Sequence, residues 1–149
     1  MEKNDADAHP LFGQEYKTFS PEMQRIMRAY TAIGGNLFVS GDYIGSDMLS
    51  ADDASFTQNV LKYQFGAQHR TFDTTFGATG MNRIVQVPAS LNAECFAVCA
   101  ADILTAVGDA FSAMVYTDTR ESAAVAYKGN DYHTFSMGFP FEAISSSED

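Results

Sequence analysis

No apolar run in this chain approaches the roughly 20 residues a helix needs to cross a bilayer, so no segment reads as a membrane span. Basic residues are few. Nine Lys and Arg stand against 19 Asp and Glu, for a net charge of -10 and a pI near 4.5. Such a surface repels phosphate, which argues against nucleic acid and against an anionic membrane as partners. It suits a secreted or periplasmic protein and a cytosolic one equally. Cysteine is scarce too: Cys95 and Cys99 are too few for a disulfide framework. In an extended segment their alpha carbons stand about 13 Å apart, beyond disulfide reach, and both are expected as small buried apolar residues. No His/Cys cluster has zinc-ligand spacing, and His9 and His69 are isolated and expected at the surface. There is no internal repeat and no linker that would divide the chain.

What is present is enough for a core. At 149 residues the chain is one domain by the usual prior, and 46% apolar and 13% aromatic residues set it apart from disordered sequences. Residues 1–19 read as a loosely docked lead-in, and Ser145 to Asp149 as a polar tail. The opening Met1-Glu2-Lys3-Asn4-Asp5-Ala6-Asp7 is polar and acidic, unlike a signal peptide. If the parent is exported, a mature fragment or an excised domain is expected.

The chain centres on Gly34 to Asp47. Ser20-Pro21-Glu22 opens a helix, with Ser20 as N-cap and Pro21 at the first helical position. Met23, Ile26, Met27 and Tyr30 make its apolar stripe, and Gly34-Gly35 end it. Leu37-Phe38-Val39 is too short for a helix and apolar throughout, which predicts a central strand covered on both faces. A polar, glycine-bearing loop follows. Ser50 or Asp52 then caps a second helix running to about Phe65 with Gly66 as its stop, and Asp52 and Asp53 favour its dipole. Beyond Gln68 the pattern turns to strands: His69 to Phe72, Arg83 to Val87 around a Gly77-Ala78-Thr79-Gly80 turn, Glu94 to Cys99, Ala113 to Tyr116, Ala123 to Tyr127 and His133 to Phe139. The last two are joined by a hairpin turn, Lys128-Gly129-Asn130-Asp131.

Two segments together resemble a known module. Gly34 to Asp47 and Ala124 to Ile144 are similar to a module of large secreted bacterial proteins labelled xanthan lyase. Lys17 to Gln24 and Asn59 to Tyr63 add to the likeness, which covers roughly residues 16–144. That module resembles the flavodoxin-like fold of class I glutamine amidotransferases. The resemblance implies a three-layer α/β domain with a strand-rich second half, possessed of fewer early strands than the family and without its closing helix. It also implies secretion as part of a longer parent, with neighbouring domains as partners. Where the family carries a cysteine nucleophile on the turn after a central strand, Gly41-Asp42 stands here. Phe139-Pro140-Phe141-Glu142 occupies the ground of the family's Phe-His-Pro-Glu, so Glu142 is kept and Pro140 replaces the histidine. Thiolate attack needs a thiol and a base, and neither is in place.

The expected role is therefore a catalytically degenerate accessory module of a polysaccharide-processing protein. It supports a neighbouring domain or binds a small ligand or glycan at Ser40, Gly41, Asp42, Tyr43, Ser46 and Asp47, where open α/β sheets keep their sites. The alternative is a hydrolase or lyase at the 41–47 loop whose acid-base groups come from Asp42, at the elbow, Asp47, His133 and Glu142. Ser40 and Ser46 lack the Gly-x-Ser-x-Gly context of a serine nucleophile. Asp42, Asp47, Asp52 and Asp53 lack calcium-loop spacing. No metal and no cofactor is expected. Glu142 is assigned to backbone amides beside the loop, and Tyr43, Tyr127, Tyr132 and Phe139-Pro140-Phe141 to the core or to an aromatic platform.

Overall fold

The computed structural model describes residues 17–70, 77–80, 89–90, 98 and 100–144. The lead-in to Tyr16, His9, the stretch Arg83 to Val87, both cysteines and the tail lie outside these residues, as does most of Glu94 to Cys99. In chain order the elements are α1 (Pro21–Ala32), β1 (Leu37–Ser40), α2 (Ala51–Phe56) continued by a π-helical turn (Thr57–Leu61), and β2 (Tyr63–Gln68). Then come β3 (Gly77–Gly80), β4 (Ala89–Ser90), β5 (Asp102–Ala106), β6 (Phe111–Tyr116), β7 (Ser122–Lys128), β8 (His133–Met137) and a 3-10 turn (Phe141–Ala143). The architecture is mixed α/β. A six-stranded sheet runs β1-β8-β7-β6-β3-β4, and β2 pairs with β5 in a second, two-stranded sheet. Among the described residues only β1 and β8 run parallel; the other pairs are antiparallel.

The start of α1 follows its sequence: Ser20 Oγ accepts from the Met23 amide, with Pro21 just inside. The helix turns a different face inward from the one the apolar stripe suggests. Met23 and Met27 pack on the core and Gln24 and Thr31 are buried, whereas Ile26 and Tyr30 are exposed. Two polar residues are tolerated inside because both are bonded. Gln24 Nε2 donates to Phe19 O and Asp53 Oδ1, and Thr31 Oγ1 donates back to the Met27 and Arg28 carbonyls.

The expectation of a central, doubly covered β1 is overturned. Among the described residues β1 is the sheet's edge, paired with β8 alone. Leu37 and Val39 face the helices, while Phe38 on the other face is 59% exposed. A run of three apolar residues does not tell one covered face from two. The second helix also ends earlier than Phe65. Lys62, at φ 65°, closes the π turn after Leu61, and Tyr63 begins a strand. Gly66 marks a bulge in that strand, where the pairing with β5 slips between Phe65 and Ala67. Gly77–Gly80, expected as a turn, is the strand β3, and β5 has no counterpart in the sequence reading.

Two apolar clusters lie on either side of β7. Val125 joins Phe19, Ile44, Phe56, Leu61 and Leu104 beneath the helices. Ala124 and Ala126 join Met114, Tyr116, Met137 and Phe139 on the other side, the period-two alternation of a strand covered on both faces. Phe19 is fully buried 5.5 Å from the Phe56 ring, so the lead-in is docked by residue 17. Among the described residues no helix is long and apolar enough to cross a membrane.

Candidate functional site

β1 delivers the chain to a sharp turn. Gly41 N still donates to Met137 O of β8, and then Tyr43 takes φ 62°, the left-handed region that costs a non-glycine residue about 1–2 kcal/mol. The run Gly41-Asp42-Tyr43-Ile44-Gly45 is a Gly-x-Tyr-x-Gly elbow, and it is Tyr43 that holds the strained central position, not Asp42 as the sequence reading had it. Both glycines in that spacing were visible in the sequence. Counting from them would have found Tyr43.

Around Tyr43 the expected loop residues do come together, but as a lattice. Asp42 is 4% exposed, and its Oδ2 accepts from the Ala100 amide at 3.3 Å. Asp47 Oδ2 accepts from Thr18 N at 2.7 Å and Thr18 Oγ1 at 3.1 Å, which ties the lead-in to the loop. Ser40 Oγ accepts from the Phe141 amide. Ser46 donates from both N and Oγ to Asp102 Oδ2. Gly45 N does so as well, and Tyr63 Oη donates to Ile44 O.

Asp102 is the anchor that sequence reasoning missed. Its side chain is fully buried, and burial pushes its carboxyl up, against the pull of the Ser46 and Gly45 donors. Its carbonyl accepts from Tyr116 Oη at 2.9 Å, and the phenol is pushed well above its usual range by burial and by the nearby Asp102 and Asp42 carboxylates. No local motif marks Asp102, because its partners lie more than fifty residues away. A second buried carboxylate, Asp53, accepts from Ser50 and Gln24 and pairs with Lys17. Burial raises its pKa, but those donors outweigh burial and hold it below the usual range.

The catalytic candidates do not converge. His133 pairs with Lys128 and lies level with Asn36, whose side-chain oxygen accepts from the His133 amide. That is four residues before Ser40 and roughly 13 Å back along the strand from the elbow. Asp42 and His133 are therefore at opposite ends of the β1–β8 pair. Glu142 is near the loop but exposed on the 3-10 turn, and among the described residues its carboxylate holds no backbone amide, contrary to expectation. The turn buries Phe139 and Ala143 and so leaves Phe141 and Glu142 outside. His69, expected at the surface, is buried and stacked on Tyr116 at 4.1 Å between ring centroids. Burial lowers its pKa, opposed by Asp118 and Glu121. Among the described residues no three His, Cys, Asp or Glu side chains are grouped to hold a metal.

The aromatics divide between interior and surface. Phe139 is core, whereas Phe38 and Phe141 are exposed and gather on the half-buried Phe135. Phe38 stacks on Phe135 and meets Phe141 edge-on, each at 5.9 Å. Tyr127 and Tyr132 pair at 5.2 Å at the far end of the sheet.

No protein-family model matches the chain, and no curated protein matches it. Among solved structures it is similar to a cold-adapted β-galactosidase from Rahnella sp. R3, with a TM-score of 0.59 at 12% identity. The match covers 84% of this chain and 18% of that much longer one. At this identity the likeness concerns the fold alone.

Proposed function

We propose that this chain is a catalytically silent accessory module of a secreted polysaccharide-processing protein, similar to the module of proteins labelled xanthan lyase. Its frame is read as a reduced relative of the flavodoxin-like amidotransferase fold. What supports that reading is a parallel strand pair whose edge member ends in a Gly-x-Tyr-x-Gly elbow. One observation carries the functional half. The elbow offers a phenol where acyl chemistry needs a thiol, and of the two described histidines His133 is at the opposite end of the strand pair while the His69 ring is buried against Tyr116. The carboxylates around it bind backbone amides and a lead-in threonine.

A supporting role toward a neighbouring domain accounts for the exposed Phe38 and Phe141, which meet edge-on beside the half-buried Phe135. The solved structure reported above is consistent with it, because there a similar fold is a small part of a large glycosidase chain.

The test is turnover by the purified chain. Glutamine should release no ammonia, and xanthan should yield no unsaturated or newly reducing ends. Tyr43→Cys should not create glutaminase activity, because a thiol without a base stays protonated. Turnover of either substrate by the wild-type chain, abolished by Asp42→Asn, would overturn the reading.

A further inference from the structure

A cleft of about 730 Å3 opens at the other end of the strands, away from the elbow. Three segments build it: the last turn of α1 with Ile33 and Gly34, the π turn with Asn59 and Val60, and the β7–β8 turn with Asn130, Asp131 and Tyr132.

These segments are fastened together before any ligand arrives. Tyr132 Oη donates to the carbonyls of Asn59 and Val60, at 3.2 and 3.0 Å, joining the hairpin turn to the π turn. Asn36 Oδ1 accepts from the His133 amide at 2.8 Å, joining the α1–β1 connection to β8. Gly34, at φ 89°, turns the chain off the helix by donating to Thr31 O, and an added Cβ there would come within 3.3 Å of the Asp131 carbonyl. A cleft assembled this way loses little conformational freedom on binding. The π turn itself places Asn59 and Val60 on the lining, an irregularity often found at binding sites.

The lining has two characters. Val60, Ala32 and Ile33 are apolar, and Ile33 is 83% exposed. Beside them the Asn130 and Asp131 side chains bond to no protein group among the described residues, and the amide of one donates while the carboxylate of the other accepts. The lining holds one cation, Arg28, and one carboxylate, Asp131, so its own charges balance. A balanced lining at the C-terminal end of a helix suits a ligand without net charge, and the chain's net charge of -10 repels anions further. A ligand that fits presents an apolar face to Val60 and Ile33 and neutral hydroxyls, each both donor and acceptor, to Asn130 and Asp131. That description is a sugar ring.

We infer that the cleft between the α1 C-terminus, the π turn and the β7–β8 turn is a binding site for a neutral saccharide. The inference rests on the accessory-module reading only for its biological setting. The Gly41–Asp47 loop, the glycan position expected from sequence, has Asp42 buried and Ser46 and Asp47 bonded to Asp102 and Thr18, and it is not the site.

The experiment is an NMR titration of the full 15N-labelled chain with glucose, galactose, cellobiose and lactose separately, and with spermidine as a cationic control. For at least one sugar, amide shifts should concentrate on Gly34, Asn59, Asn130 and Asp131, with an affinity on the order of millimolar. Asn130→Ala and Asp131→Asn should each weaken it about tenfold or more while leaving the rest of the spectrum in place, which shows the variants fold. No shift with any sugar at about 50 mM, well above a millimolar constant, overturns the inference. So do shifts confined to residues 41–47, or a response to spermidine alone. A failed titration leaves the silent-module reading untouched, and turnover at the elbow would leave this site untouched.

Discussion

The Asp102 carboxylate holds Gly45 across 57 residues of sequence, accepting its amide proton at 2.8 Å with the side chain fully buried. The backbone amide of the same residue donates to Gly138 O at 2.6 Å. One residue of β5 thus fixes both the elbow loop after β1 and the chain leaving β8. Held from below in this way, the elbow can keep Tyr43 in a conformation its side chain disfavours.

That double grip leaves no room at Gly138. A Cβ there would lie 2.0 Å from the Asp102 carbonyl oxygen, a contact with backbone that no rotamer can relieve. Gly138→Ala should cost about 3 kcal/mol or more, read from urea unfolding midpoints. A loss within the range of an ordinary surface change would show that β5 and β8 are not clamped there.

The two buried aspartates should give opposite pH dependences. Asp53 is held below its ordinary value of 3.8, so its contribution to stability is present above that pH and lost as pH falls through the folded value. Asp102 is raised above 3.8. The native state binds its proton more tightly, so its contribution is present in acid and lost as pH rises through the folded value. Unfolding free energies measured against pH should show Asp53→Asn flattening the acid-side loss and Asp102→Asn removing the opposing slope. Superimposable profile shapes for the wild type and both variants would contradict these assignments.

At position 43 the usual order of residues should invert. Tyr43→Gly should be more stable than Tyr43→Ala by about 1 kcal/mol, because only glycine takes positive φ without a Cβ clash. Comparing the two variants cancels the lost ring and isolates the backbone. Thermal midpoints in the order Ala above Gly would mean the elbow is not strained.

The faces of β1 should respond differently. Val39→Ala, on the helical side, should cost about 2 kcal/mol. Phe38→Ser and Phe141→Ser, on the exposed cluster, should each stay within about 1 kcal/mol and should lower any self-association seen by sedimentation. A large stability loss at Phe38 would mean the cluster is core rather than a docking surface.

Capping and turn chemistry could be read directly. Ser20 before Pro21 starts α1, Ser50 caps α2, and the turn from Lys128 to Asp131 joins two strands where the sequence placed them. Each of these depends on residues within a few positions of one another. The elbow was half legible: its glycines and its place after β1 were visible, but the strained residue was misassigned by one position. Glu142 and His133 were grouped with Asp42 because sequence distance carries no information about which end of a strand a residue occupies.

Local pattern by itself therefore determined where α1 and α2 start, the β7–β8 hairpin, the acidic composition, and the lack of a thiol and imidazole at the expected positions. The tertiary structure decided what each segment lies against: β1 at an edge, Gln24 and Thr31 inside while Ile26 and Tyr30 face water, Asp102 beneath the loop and His69 stacked on Tyr116. The physical reason is range. Caps, turns and periodicity are contacts within one element, whereas burial of a carboxylate or exposure of a phenylalanine is set by partners dozens of residues away.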